Sequence, residues 1–299
     1  MDITRAYLIR RFGEYYRRTR LYEPREFERR EWAFVPLERF PQFVMNRHLA
    51  FESYDDLRRF VLDNVPAHAY YSSAYYEDPS AEMERKGWLG ADLIFDIDAD
   101  HLPKRTLKRA KLEVMKLVRI LTTDFGVSER DLEIVFSGRR GYHVHVYDDR
   151  FRWLDSAERR EIADYLTLTG LNVKRMSRMG MRITRCVEMG MDEDRCKSKL
   201  AVHIDPPVTA DVKRLIRLPY SLHGKTGLIV MPVDLDGLEE FDPLRDALAF
   251  GDERVKVRVL RRVRLKVGGE EYRLLPGKHE VPEFVAIFLI CGGVALYGH

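Results

Sequence analysis

The segment Leu93-Ile94-Phe95-Asp96-Ile97-Asp98 constrains the chain more than any other. Side chains of a β-strand alternate between two faces, so an extended LIFDID turns Leu93, Phe95 and Ile97 to one side and Asp96 and Asp98 to the other. One face belongs in a core. The other sets two carboxylates side by side, and these repel unless a cation lies between them. Hard oxygen ligands of this kind suit Mg²⁺ or Mn²⁺. The plainer alternative is a strand end with solvated acids, and Asp100 reads that way. The pattern returns in AVHIDPP, where Val202 and Ile204 point inward while His203 and Asp205 share the outer face. Three acids from two separate segments can bridge a pair of divalent ions about 4 Å apart, the arrangement used for phosphoryl transfer. His203 reads as a supporting group beside them.

The rest of the composition describes a folded protein. Of 299 residues, 45% are apolar and 33% charged, yet 51 Lys and Arg against 48 Asp and Glu leave a net charge of only +3. No polybasic tail follows, so a nucleic-acid surface has to be a local patch. The length allows one large domain with an insertion, or two domains. Cys186, Cys196 and Cys291 have neither disulfide-framework nor C-x-x-C spacing, so reduced thiols and a cytoplasmic location are expected. Charges interrupt the N-terminal segment, which reads as an amphipathic helix without a signal-peptide core. Glu283 and Gly292-Gly293 interrupt the apolar run 281–298, which predicts a buried helix plus strand and no membrane span. One Gln and three Asn in the whole chain, with the high charge, resemble proteins from hot environments.

Along the chain, residues 29–40, 42–51, 68–76, 91–100, 131–136 and 142–148 read as extended, and Ser53 opens an amphipathic run through Leu57 and Val61. Residues 104–121 carry Leu107, Ala110, Val114, Leu117 and Leu121 at helical spacing. Residues 151–200 turn helical, with Ser156 as the expected N-cap and Glu158 in the first turn. TADVKRLIRL is expected to be a helix from Thr209 to Pro219 with Lys213, Arg214 and Arg217 as a basic ridge, and residues 253–275 to form two strands. Hairpins between some strands and helices between others predict an α+β architecture.

The loop Ser137-Gly138-Arg139-Arg140-Gly141 offers a hydroxyl, backbone N–H groups and two guanidinium forks, all suited to triphosphate oxygens. His143 and His145 follow on one strand face, and a zinc site built on them lacks a third soft ligand nearby. Downstream of Asp205, the basic ridge leads to His223 and Lys225 in the next loop, a spacing compatible with one shared site.

Taken together, DLIFDIDAD, SGRRGYH and DPPVTADVKRLIRLPYSLHGKTG resemble the three motifs of the small, catalytic subunit of archaeo-eukaryotic primases, in the same order. The N-terminal REW, YYSSAYY and the closing VPEFVAIFLICGGVALYG are similar to archaeal members, so the resemblance spans most of the chain. It implies metal binding by Asp96, Asp98 and Asp205, and triphosphate binding by Ser137, Arg140 and His143, with Gly138 and Arg139 in the same loop. Arg217, His223 and Lys225 fall among the basic nucleotide contacts, and Glu31 and Arg47 at the periphery of the active site. The cysteine-rich zinc knuckle of many members is missing after the acidic strand, and Cys186, Cys196 and His203 are poorly spaced to replace it, so structural zinc is not expected.

The implied fold is an α+β primase core over 1–150 and 201–299 with a small helical insertion at 151–200. The implied activity is template-directed synthesis of short primers on single-stranded DNA from NTPs, and dNTPs where accepted. It would use two Mg²⁺ or Mn²⁺ ions and a large-subunit partner, with no membrane involved. A gap-filling or repair polymerase on the same core, a non-catalytic nucleic-acid-binding subunit and a D-x-D glycosyltransferase are the alternatives, and the later motifs weigh against the last.

Overall fold

The structure, a computed structural model, describes residues 2–103, 105–170 and 177–298. In chain order the main elements begin with α1 (Ile3–Arg18), β1 (Trp32–Pro36), β2 (Asn46–Leu49), α2 (Tyr54–Asn64), β3 (Pro66–Ser72), β4 (Ala74–Tyr76), β5 (Trp88–Ala91) and β6 (Leu93–Asp98). Next come α3 (Leu107–Asp124), β7 (Leu132–Phe136), β8 (Gly141–Val146), α4 (Ser156–Thr167), α5 (Ser177–Glu188), α6 (Glu193–Leu200), α7 (Pro206–Ala210) and β9 (Leu215–Arg217). The chain closes with β10 (Met231–Val233), α8 (Pro243–Asp246), β11 (Arg254–Val259), β12 (Val263–Val267), β13 (Glu270–Leu274), β14 (Gly277–Pro282), α9 (Glu283–Cys291) and β15 (Ala295–Tyr297). Antiparallel sheets and helices mix throughout, an α+β fold. Two compact units are formed, one from residues 1–89, 135–139 and 215–299, the other from 90–134 and 140–214.

In the first unit a sheet runs in the order β2-β1-β3-β9, with Trp32 opposite Tyr71 and Val35 opposite His68. Its apolar face is aromatic: Trp32, Phe34 and Tyr71 are fully buried, and Phe51 and Phe60 pack edgewise or tilted against Phe34. Helix α1 starts where the Asp2 carboxylate accepts from the Thr4 amide, and it buries Tyr7, Leu8, Phe12, Tyr15 and Tyr16 at the three- and four-residue spacing of one helical face. Three further strands, in the order β14-β11-β15, carry α9, which is apolar after its first residue, Glu283. Residues 253–275 hold three strands rather than two, because Gly268-Gly269, both at positive φ, turn β12 back on β13.

In the second unit β6 pairs antiparallel with β8, so that Asp96 lies opposite His143 and Asp98 opposite Gly141. Helix α3 covers the pair and buries Ala110, Val114, Leu117 and Leu121. Its N-cap is Thr106, whose hydroxyl accepts from the Arg109 amide, and residue 104 of the expected helix lies outside the described residues. Helix α4 begins one residue earlier than its sequence suggests. Asp155 caps it, accepting from the Ala157 and Glu158 amides, and the Glu158 carboxylate returns a bond to the Asp155 amide at 2.8 Å. The buried Arg159 guanidinium joins α4 to the start of β6 by donating to the carbonyls of Ala91, Asp92, Phe151 and Leu154 at 2.7 to 3.2 Å. Burial pushes its pKa down to about 10.

Two expectations are corrected here. Cys186 and Cys196 form a disulfide between α5 and α6, and only Cys291 is a free, buried thiol. A ten-residue separation joins the two helix ends once α5 and α6 lie side by side, which their spacing alone does not reveal. The expected helix from Thr209 to Pro219 does not form. Helix α7 ends at Ala210, the Asp211 carboxylate accepts from the Lys213 amide in a tight local turn, and Leu215–Arg217 pairs antiparallel with β3. Backbone hydrogen bonding offered by the open edge of β3 overrides a short, ambiguous periodicity.

Candidate catalytic and nucleotide-binding residues

The acids gather in the second unit. Asp96 and Asp98, both half-buried, leave the same face of β6 while Phe95 and Ile97 are fully buried behind them. Asp205 joins them through its backbone, because its amide donates to the Asp96 carbonyl at 2.8 Å. Asp205 stands at the N-cap of α7, where an Asp side chain ordinarily bonds the second or third amide. Here the carboxylate makes no capping bond, and the next two residues are prolines without N–H groups. Pro207 thus removes the second amide, and the third, that of Val208, donates to the Asp205 carbonyl at 3.1 Å, so the helix does not consume the carboxylate.

What precedes Asp205 is clamped by a residue the sequence did not single out. Glu113, fully buried on α3, accepts from the His203 amide at 3.1 Å and ion-pairs with Arg109 at 2.8 Å, Lys116 at 3.0 Å and the His203 ring at 3.3 Å. Lys116 also donates to the Ala201 carbonyl at 2.6 Å. Burial alone would raise the Glu113 carboxyl, but the His203 amide and the Lys116 ammonium outweigh it and hold the group below its ordinary value. His203 is thus held against α3 by backbone and ring. A glutamate on the inner side of an otherwise apolar helix face is the only sequence signal that could have marked Glu113.

Asp100, read from sequence as a solvated acid, is paired instead. Its carboxylate lies 2.7 Å from Arg140, whose other guanidinium nitrogen donates to the Arg105 carbonyl at 2.9 Å. Asp98 caps the short turn that carries Asp100, accepting from the Asp100 amide at 2.8 Å. The Arg140 carbonyl accepts from the Ala99 amide at 2.9 Å, so side chain and backbone of Arg140 are both referenced to the acidic strand. His143, nearly buried on β8, brings Nε2 to 3.8 Å from the Asp96 carboxylate, a distance for charge attraction rather than a hydrogen bond. Gly141 is obligatory by packing, since a Cβ there would lie 2.5 Å from the Ile97 carbonyl oxygen.

A second group of expected residues lies in the first unit. The Gly138 carbonyl accepts from the Thr226 hydroxyl at 2.6 Å, and Gly138 has φ +84° with room for no Cβ, which would stand 2.7 Å from the His223 Cβ. Ser137, half-buried, and Arg139, exposed, flank it. His223 is buried against His68, their rings edge to face at 4.7 Å, and its Nδ1 accepts from the Lys225 amide at 3.2 Å. The remaining proton of neutral His223 thus sits on Nε2. His68 receives Arg217 at 2.8 Å and the Gly224 amide at 3.3 Å on its own Nδ1. Burial first, then the charges of Arg217 and Lys225, push the His68 pKa down to about 2, and burial with the same cations holds His223 well below its ordinary value. Both rings are neutral near pH 7. His68 was missed in the sequence because 149 residues separate it from Arg217.

Glu31 and Arg47 meet in the same unit, with Arg47 Nε donating to the fully buried Glu31 carboxylate at 3.0 Å. The His48 amide at 3.2 Å and the buried Lys86 ammonium at 3.6 Å complete its surroundings. These contacts tie Glu31 and Arg47 to β2 and to Lys86.

Among the described residues, no three His, Cys, Asp or Glu side chains are drawn together as a closed metal-ligand set. Mg²⁺ does not require one, since it keeps several waters and takes one or two carboxylates plus substrate oxygens. Two carboxylates on one strand face, and a third whose backbone is bonded to that strand, fit that demand.

Comparison with known proteins agrees with these motifs. The family described as DNA primase small subunit matches residues 95–235. The DNA primase small subunit PriS of Archaeoglobus fulgidus is 48% identical over 99% of both chains, and that of Methanococcoides burtonii is 36% identical over 100% of both. A solved polymerase domain of Mycobacterium tuberculosis Ligase D in complex with DNA covers 80% of this chain and 83% of its own at 16% identity, with a TM-score of 0.46. Identity of 48% from end to end, on a chain whose acidic strand, Arg140 and Asp205 are structurally interlocked, places it in the DNA primase small subunit family.

Proposed function

We propose that the chain is the catalytic subunit of a DNA primase, a DNA-directed nucleotidyltransferase that makes short primers on single-stranded DNA. The observation that carries this reading is the Asp205 amide bonded to the Asp96 carbonyl, which brings the third acid to the strand bearing the other two. Asp96, Asp98 and Asp205 would hold Mg²⁺ or Mn²⁺. When bound there, such ions would supply Lewis-acid chemistry, activating a 3′-hydroxyl and offsetting phosphate charge.

The chain's own groups supply the rest. Arg140, fixed by Asp100 and the Arg105 carbonyl, presents a preorganised guanidinium to triphosphate oxygens. Ser137, the Gly138 and Arg139 amides and His143 add donors to the same loop and strand. Arg217, braced by His68 and lying 5.1 Å over the Tyr70 ring, serves as a nucleotide phosphate contact, with Lys225 and the Nε2 proton of neutral His223. A neutral histidine donates without adding charge to the site. Glu31 and Arg47 belong to the periphery and shape the segment around β2.

The name of the family implies a second subunit. Starting a primer requires two nucleotides to be held together on a template, an entropic cost that a large subunit offsets by positioning the first. NTPs, with dNTPs where accepted, are the substrates. No described helix is long and apolar enough to cross a membrane. The cytoplasm is the proposed location, and the Cys186–Cys196 disulfide is compatible with it in the setting of disulfide-rich intracellular proteins from hyperthermophiles.

The deciding experiment is synthesis on unprimed single-stranded DNA with NTPs and dNTPs supplied separately, with and without the large subunit. Product that starts de novo and disappears in Asp96→Asn supports the reading. Extension of supplied primers with no initiation under any condition would make the chain a gap-filling polymerase instead.

A further inference from the structure

One strongly basic stretch of the chain has no role in the site described above. Residues 254–278 hold nine Lys or Arg and two Glu, a net charge of +7, whereas the whole chain is +3, so all other residues together sum to −4. In the first unit the strand β11 turns Arg254, Lys256 and Arg258 to solvent while Val257 and Val259 are buried. Same-face residues recur about every 6.7 Å along a strand, so these three form a row of cations. Lys278 on β14 stands directly opposite Arg258, on the same face of the sheet. The acid of that face is Glu280, opposite Lys256. Beyond the end of β11, exposed Arg261 and Arg262 line a groove whose wall includes Phe288 and Val294.

Two cations directly opposite across a strand pair destabilise it. The neighbouring hairpin shows how the fold relieves such a pair. There Arg264 lies opposite Arg273, and Glu271 takes both, at 2.6 and 2.9 Å. Among the described residues no carboxylate ion-pairs with Arg258 or Lys278. A repulsive, solvent-facing row that the fold leaves unrelieved is suited to an anionic polymer. The sheet face presents Arg254, Lys256, Arg258 and Lys278 where the centre of a protein interface is depleted of charge, whereas the adjoining groove offers guanidinium groups for phosphates and an apolar wall for base faces.

We infer that the outer face of β11 and β14, continued by Arg261 and Arg262, is a phosphate-tracking surface for single-stranded nucleic acid. It lies apart in sequence from every residue assigned above to metal or nucleotide. The inference rests on the proposed function, in that the strand it holds is the template. It would retain that strand without reading its bases, as a template-directed enzyme needs.

The test is equilibrium binding of a labelled oligodeoxynucleotide to the full-length protein over a salt series, with the parent and with a Lys256→Gln, Arg258→Gln, Lys278→Gln triple variant. For single strands the slope of log affinity against log salt is about −0.7 per neutralised phosphate, so loss of three contacts should flatten it by about 2. Relief of the Arg258–Lys278 repulsion offsets loss of the Lys256–Glu280 pair, so thermal unfolding should stay near the parental temperature and misfolding would not mask the result. Primer extension at saturating template should keep the parental turnover. An unchanged salt slope overturns the inference. So does an unchanged slope accompanied by lost binding to the large subunit, which would make the face a protein-docking surface. Failure of the parent to extend any primed template would count against the proposed function alone, because the slope comparison does not depend on turnover.

Discussion

Glu113→Ala probes how the third acid is held. The substitution removes the acceptor of the His203 amide and the partner of Arg109 and Lys116. Leaving a buried donor unsatisfied costs about 1–3 kcal/mol. Breaking a wholly buried ion pair costs about 3–5 kcal/mol, but Arg109 and Lys116 are 36% and 23% exposed and recover hydration, so the electrostatic loss belongs well below that range. A net destabilisation of about 2–4 kcal/mol follows, several degrees in thermal unfolding. Because the freed segment runs directly into Asp205, turnover should fall more than nucleotide KM rises. Glu113→Gln keeps an acceptor for the His203 amide and should recover part of the turnover.

A double-mutant cycle with Lys116→Ala isolates the pair, with a coupling of about 0.5–3 kcal/mol expected. The pH dependence has a definite sign. The folded pKa of Glu113 lies below the ordinary 4.5, so its stabilisation is present above about pH 4.5 and is lost as pH falls through the folded value. Glu113→Gln should remove that acid-side slope. Unchanged unfolding temperature together with unchanged turnover in Glu113→Ala would refute the clamp.

Four other outcomes are expected. Asp96→Asn should abolish nucleotide incorporation while unfolding in the absence of divalent metal stays at the parental temperature, since the acid faces away from the core; near-normal incorporation would remove it from the site. Arg140→Ala should raise nucleotide KM about 10- to 100-fold, the equivalent of a charge-assisted phosphate contact of roughly 1.5–3 kcal/mol, with oligonucleotide affinity little changed; the reverse pattern would make the loop a template clamp. Gly138→Ala should destabilise by about 2–4 kcal/mol, combining a left-handed backbone penalty with a Cβ 2.7 Å from that of His223, and an unfolding temperature like the parent's would contradict the packing. His68, with its folded pKa near 2 against an ordinary 6.5, contributes stability above about pH 6.5 that is lost as pH falls, so its ring should not titrate between pH 5 and 8 by NMR and His68→Asn should flatten the decline in stability over that range.

The acidic strand was legible because a period of two needs no partner to be recognised: wherever LIFDID pairs, Asp96 and Asp98 share a face. The same holds for the apolar spacing of α3, for the Ser53 cap of α2 and for the buried helix and strand that close the chain. What required the tertiary structure lies between residues far apart in sequence. Glu113 meets His203 across 90 residues and His68 meets Arg217 across 149, and no local pattern encodes such a meeting. The segment 209–218 shows the limit most directly. Its apolar positions fit a helix as well as a strand, and the choice fell to the open edge of β3, which satisfies the backbone of Leu215–Arg217 and thereby turns Arg217 toward His68 instead of along a helical ridge. Local spacing determines which side chains share a face; which backbone that face lies against is determined by hydrogen bonds and burial that only the folded chain can supply.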